Sequence, residues 1–133
     1  VSEWGQVIDA VLAKVVAADS AVTTRRGLVG LSLIPSDQYP HAMGYVLQAT
    51  SELLSGGYLQ ETRRLEVVVL FVSNGESQEA VYQRFDAVRE ALYADRTLGG
   101  LVRRLFVSDG LPLEDEASAV MTLRLVCTCE KVV

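Results

Sequence analysis

Apolar residues recur at three- and four-residue spacing near the start of the chain. Trp4, Val7, Ile8, Val11, Leu12 and Val15 fall on one stripe of a 3.6-residue period, which predicts a helix over 3–18. Ser2 is placed to cap it, and Glu3 sits in the first turn, where a carboxylate complements the helix dipole. Asp19-Ser20 closes the helix, and the polar run Thr23-Thr24-Arg25-Arg26-Gly27 reads as a loop. The period then changes to two. Val29, Leu31 and Leu33 share one side of a predicted strand over 28–34, which Pro35-Ser36-Asp37 ends. A second strand is expected at about 41–48, after Pro40, and a loop carrying Ser55-Gly56-Gly57 over 49–60.

Residues 61–73 make the strongest strand, with Glu61 to Glu66 leading into Val67-Val68-Val69-Leu70-Phe71-Val72. Asn74-Gly75 breaks it, and Ser77 is an N-cap for a second helix whose buried stripe is Val81, Phe85, Val88 and Leu92. That helix ends near Tyr93-Ala94-Asp95, and Leu98-Gly99-Gly100 supplies a turn. Two more strands are expected, at about 101–108 and 117–130. In the second, Ala119, Met121, Leu123, Leu125, Cys127 and Cys129 alternate with polar residues. The reading is one α+β domain over 1–133. It has a largely antiparallel, mixed sheet of about five strands with two helices on one face, in the order α-β-β-β-α-β-β.

Two helices cover one face of such a sheet, yet Val67–Val72 is apolar on both. Leaving Val68, Leu70 and Val72 wet would forgo about 5–9 kcal/mol, at roughly 1.5–3 kcal/mol per side chain. That is comparable to the ~5–15 kcal/mol that holds a domain together. A cover is therefore expected, either a second subunit or the 49–60 loop folded back.

Composition narrows the classes. Half of the residues are hydrophobic and 22% are charged, the balance of a folded protein rather than a disordered one. Twelve basic against seventeen acidic residues give a net charge of −5, which argues against a protein built to grip nucleic acid. No apolar run approaches the ~20 residues that cross a bilayer. Val1-Ser2-Glu3-Trp4 lacks the basic start and apolar core of a secretion signal, so synthesis in the cytoplasm and no membrane partner are expected.

The search for chemistry is short. Cys127 and Cys129 lie ~6.5 Å apart along a strand, awkward for a disulfide and too few for a zinc site, and read as reduced core thiols. The single histidine, His41, reads as a surface or edge residue rather than a general base. None of the glycine-containing stretches carries a phosphate-binding pattern. Glu114-Asp115-Glu116 reads as a solvated acidic loop. No catalytic residue, metal or cofactor is expected.

Three arginine doublets stand out, Arg25-Arg26, Arg63-Arg64 and Arg103-Arg104. They read as solvated strand ends or as contacts that fork onto a neighbour's acidic loop. Leu53, Leu54, Tyr58 and Leu59 place apolar side chains in an expected loop, which either packs on its own domain or docks to a partner. The candidate interface residues are thus Leu53, Leu54, Tyr58, Leu59, Arg63 and Arg103.

The segment Ala87-Val88-Arg89-Glu90-Ala91-Leu92-Tyr93-Ala94-Asp95-Arg96-Thr97-Leu98-Gly99-Gly100-Leu101-Val102 resembles a stretch of the tail-terminator and tail-completion proteins of long-tailed bacteriophages and prophages. There an amphipathic helix ends in Ala-Leu-x-x-Asp-x-x-Leu-Gly-Gly and leads into a strand. Asp95, Leu98, Gly99 and Gly100 match that pattern in an architectural role. The resemblance implies a non-catalytic virion subunit whose hexameric ring caps the tail tube, ends its polymerisation and presents a surface to the head-tail connector. Its implied partners are further copies of itself, the tail tube protein, the connector, and DNA passing through the lumen unbound. Two other readings stand beside it: a head-closure or minor neck protein, and a ferredoxin-like small-molecule-binding regulatory module. An enzyme fits least.

Overall fold

The computed structural model describes residues 2–30, 33–53, 61–74, 77–109, 113–115 and 120–132. Helix α1 spans Glu3–Ala18, and the Ser2 hydroxyl accepts the Gly5 N–H at 3.1 Å as its N-cap. Its stripe of Val7, Ile8, Val11, Leu12 and Val15 is buried, whereas Trp4 at its start is 46% exposed. Helix α2 spans Gln78–Ala94, capped by Ser77 through the Ala80 N–H at 3.2 Å, and buries Val81, Phe85, Val88 and Leu92. Both caps satisfy N–H groups that the first helical turn leaves without a partner.

The strands are β1 (Thr23–Arg26), β2 (His41–Leu53), β3 (Glu61–Asn74), β4 (Arg104–Asp109), β5 (Leu113–Asp115) and β6 (Val120–Val132). They form one mixed sheet in the lateral order β1-β2-β3-β6-β4, with the three-residue β5 also paired to β6. Among the described residues only β1 and β2 run parallel; the other pairings are antiparallel. The expected order of five main strands and two helices holds, with β5 as an addition.

Alternation decides what each face carries. On the helix side, Ala42, Leu65, Val67, Val69, Phe71, Leu105, Val107, Cys127 and Cys129 join the stripes of α1 and α2 in one buried cluster. Gly44 lets α1 approach β2: a Cβ there would lie 3.1 Å from Leu12 Cδ2 and 3.2 Å from Ile8 Cγ2. Ion pairs tie the helices together at the surface, Arg84 with Asp19 and Lys14 with Asp95.

Two sequence expectations are corrected. The first strand is Thr23–Arg26, read from sequence as a loop, and no strand occupies the described part of 28–34. The reason is the parallel pairing of β1 and β2, which forces the chain to travel back along the sheet before β2 can start. That return crosses the face opposite the helices, where Val29 and Ile34 serve packing rather than a strand ladder while Leu28 and Leu33 stay exposed.

The second concerns the cover, to which the sequence reading assigned no part of 28–40. Ile34, Met43 and Val72 form a separate buried cluster, with Val29, Tyr39 and Leu70 packed against it. The return segment thus shields this end of β3, and residues 54–60 of the other expected cover lie outside the described residues. Residues 49–53 are instead strand, paired to β3 as far as Leu53 opposite Glu61. Val68 and Val72 are fully buried and Leu70 is half-buried.

Replacing Gly44 with Val should overpack the α1–β2 contact and destabilise the protein by about 1–3 kcal/mol. Urea unfolding followed by circular dichroism measures this; an unchanged midpoint would show that α1 does not depend on the close approach.

Candidate functional site

The register gathers two arginine doublets at one corner of the sheet. Arg64 on β3, Glu130 on β6 and Arg104 on β4 stand side by side across three adjacent strands. Glu130 Oε1 accepts from Arg64 Nη2 at 2.9 Å and Oε2 from Arg104 Nε at 2.6 Å. The Glu130 side chain is only 7% exposed while both arginines are about half exposed, so one buried carboxylate holds two cations at the surface. Hydrogen bonding from Arg104, then from Arg64, holds the Glu130 carboxyl below its ordinary range against the opposing effect of burial. Arg104 also lies over the Phe106 ring, 5.2 Å from its centroid, and Phe106 is 45% exposed.

Of the candidate interface residues, Arg103 is exposed at this corner, its N–H donating to the Glu130 carbonyl at 2.7 Å. Arg63 stands opposite Lys131 in the β3–β6 register. Leu53 closes β2, and Leu54, Tyr58 and Leu59 lie outside the described residues. The corner is thus basic, and Leu53 lies near it on the neighbouring strand. In the third doublet, Arg26 forks onto Asp9, with Nε to Oδ1 at 3.0 Å and Nη2 to Oδ2, while Arg25 is exposed.

The segment carrying the tail-terminator resemblance is a built helix stop. The Asp95 carboxylate accepts the Gly99 N–H at 2.9 Å and the Thr97 hydroxyl at 3.1 Å, and pairs with Lys14 at 3.1 Å. These bonds, Lys14 foremost, lower its pKa. Leu98, Gly99 and Gly100 follow at φ of 49°, 70° and 89°, three successive left-handed residues. The conformation suits glycine and strains leucine, and burial of Leu98 beside Val102 offsets the strain.

The two sheet edges differ. At β4, the Tyr93 hydroxyl donates to the Val107 carbonyl at 3.0 Å and accepts the Val107 N–H at 3.3 Å, so α2 blocks that edge. At the other edge β1 ends at Arg26, opposite Gly44, and among the described residues no strand pairs with β2 on that side from Tyr45 onward. Leu47 sits in a bulge there, and residues 47–50 are all exposed.

An open groove begins where β1 leaves, lined by Trp4, Ile8, Tyr45 and Val46 with Ser2, Arg26 and Gly27. Sequence reasoning missed it, because Trp4 falls in phase with the buried stripe of α1. Only the point at which β1 stops leaves that ring half uncovered.

His41 is buried rather than a surface or edge residue, and neither ring nitrogen has a well-formed hydrogen bond. Burial, aided by the nearby Arg25 charge, lowers its pKa despite an opposing influence from the Gln38 backbone. Cys127 and Cys129 are buried free thiols; burial pushes the Cys129 thiol up to about 12 and Cys127 higher still. Thiols this hard to ionise are poor nucleophiles.

No protein-family model matches the chain, and no curated protein matches its sequence.

Two outcomes follow from these charges. A depressed Glu130 pKa contributes stability that is complete above the ordinary carboxylate range and is lost as pH falls through the depressed value. Glu130→Gln should therefore unfold more readily than the parent at pH 7, and the difference should shrink in acid. Melting curves from pH 7 to 2.5 test this, and a constant difference would refute it. Both cysteines should resist iodoacetamide at pH 8 in the folded protein and react in urea; mass spectrometry reads both states.

Proposed function

We propose that this chain is a structural subunit that acts by assembling with copies of itself. More particularly, we propose a tail terminator of a long-tailed bacteriophage or prophage. The observation that carries this reading is the Asp95–Gly100 helix stop. The residues that resemble the tail-terminator stretch are the ones that end α2, fix its turn and deliver the chain to β4.

The surface supports the class. Trp4, Leu47 and Phe106 remain about half exposed, and a basic corner and an open strand edge flank them. Apolar area bordered by charge is the composition of a protein interface. One edge is blocked by Tyr93 and, among the described residues, the other is open, so the two sides of the subunit differ. Contacts between unlike sides are heterologous and close into rings when the rotation allows.

In the proposed mechanism six copies form a ring on the head-proximal end of the tail tube. One ring face matches the last tube ring and the other does not, so tube polymerisation stops and the far face receives the head-tail connector. The net charge of −5 suits a lumen through which DNA slides without sticking.

Light scattering over a concentration series tests assembly: six copies of the 14.5 kDa chain give a particle of about 87 kDa. Immunogold imaging on assembled tails should then label the head-proximal tip. Label on the head side of the junction would indicate a neck protein instead, and a monomer both free and with tail tubes would refute the ring.

A further inference from the structure

We propose that the open edge of β2 pairs with the same edge of a second copy of this chain, antiparallel about a twofold axis at Thr50. Such a contact closes on itself at two copies, so it goes beyond the ring reading and does not depend on it.

The backbone of β2 is turned for this pairing. The Arg103 N–H donates to the Glu130 carbonyl, so Glu130 directs its backbone groups to β4. Alternation then directs those of Arg64 to β2, and those of its register partner Thr50 to β3. Ala49 and Ser51 consequently direct theirs outward. The start of β2 agrees. The Gly27 N–H donates to the Gly44 carbonyl at 2.8 Å, so even positions face the β1 side as far as Val46. The bulge at Leu47 adds one residue and shifts the outward set to odd positions. Beyond Gly44 no strand among the described residues takes up these outward groups.

A second copy of the same edge complements them. With the axis at Thr50, Ala49 meets the second copy's Ser51 and Ser51 meets its Ala49, so outward groups face outward groups. Thr50 stands opposite Thr50, a favourable cross-strand pair. The exposed Leu47 comes beside the second copy's Leu53, and Gln48 comes opposite its Glu52. An axis at Ser51 would carry Leu47 past the end of the partner strand, and one at Ala49 would press that strand's end against β1.

Charge and exposure favour the same occupant. Glu52 is the single charged residue from Tyr45 to Leu53, and the Thr50 register never sets it against its own copy. The stretch holds neither Lys nor Pro, the residues that commonly guard an exposed edge. Residues 47–50 are exposed at four successive positions, so neither face of the strand is sheltered there. Two copies joined in this way share one sheet whose outer edges are both β4. Tyr93 closes each of these at Val107, so the sheet grows no further.

Light scattering on the full chain over a concentration series gives the assembly state, and two copies of the 14.5 kDa chain give about 29 kDa. Thr50→Cys tests the axis itself, because a twofold contact centred there brings this position beside its own copy and a head-to-tail contact does not. The native thiols are buried and do not compete. Under gentle oxidation Thr50→Cys should form a disulfide-linked dimer about tenfold or more faster than Glu90→Cys, at an exposed position of α2. Thr50→Lys sets two ammonium groups face to face on the axis, and should weaken the dimer about tenfold or more. Ser51→Pro removes an outward N–H without touching the β3 ladder, and should weaken it likewise. Circular dichroism confirms that each variant is folded. A chain monomeric up to millimolar concentration, or a dimer that withstands both variants, overturns the contact. A hexamer whose Thr50→Cys rate matches the Glu90→Cys control overturns it while the ring reading stands. A cross-linked dimer that never joins assembled tails upholds the contact and counts against the ring.

Discussion

From Val67 to Val72 the central strand is apolar on both sides, and keeping both sides dry is the condition the rest of the molecule meets. On one side the answer is conventional. Two amphipathic helices lay their stripes against Val67, Val69 and Phe71, and Gly44 allows α1 to come close. On the other side the answer comes from topology. A parallel β1–β2 pair compels the chain to return along the sheet, and the return lays Val29, Ile34 and Tyr39 near Val72, Met43 and Leu70. A connection that geometry requires thereby becomes a cover that the hydrophobic effect requires.

Charge is used in the same economical way. Glu130 stands nearly buried between two half-exposed arginines, and each guanidinium keeps part of its hydration while it bonds the carboxylate. Solvation and pairing are both retained, so the desolvation cost that makes fully buried ion pairs poor stabilisers is reduced. The same arrangement fixes Arg104 over Phe106 and pins β3, β6 and β4 at one corner. A single carboxylate therefore orders a basic, partly apolar surface without neutralising it.

The two edges of the sheet give the molecule its direction. Tyr93 plugs the β4 backbone at Val107, while among the described residues β2 beyond Gly44 is left open beside Trp4. A subunit with one blocked and one open edge cannot extend its sheet indefinitely through like copies. An open edge can pair with the same edge of another copy or receive a different surface.

The sequence by itself determined both helices with their caps, the long strands, their alternation and the two-sided apolarity of β3. Each of these is set by neighbours within a turn or a few residues along the chain, so periodicity reports them directly. The position of β1, the path of 28–40, the burial of His41 and the exposure of Trp4 were decided only in three dimensions. Thr23–Arg26 has no apolar signal of its own and is a strand because β2 lies beside it. The alternation of 28–34 suits a strand, yet the parallel connection draws that segment across the sheet. Trp4 is in phase with a buried stripe, but the stripe is covered only as far as β1 extends. Likewise the three arginine doublets look alike in the sequence, and the register alone decides that Glu130 joins Arg64 to Arg104 while Asp9 takes Arg26. Pairing partners and strand lengths are relations between distant segments, and no local pattern encodes them.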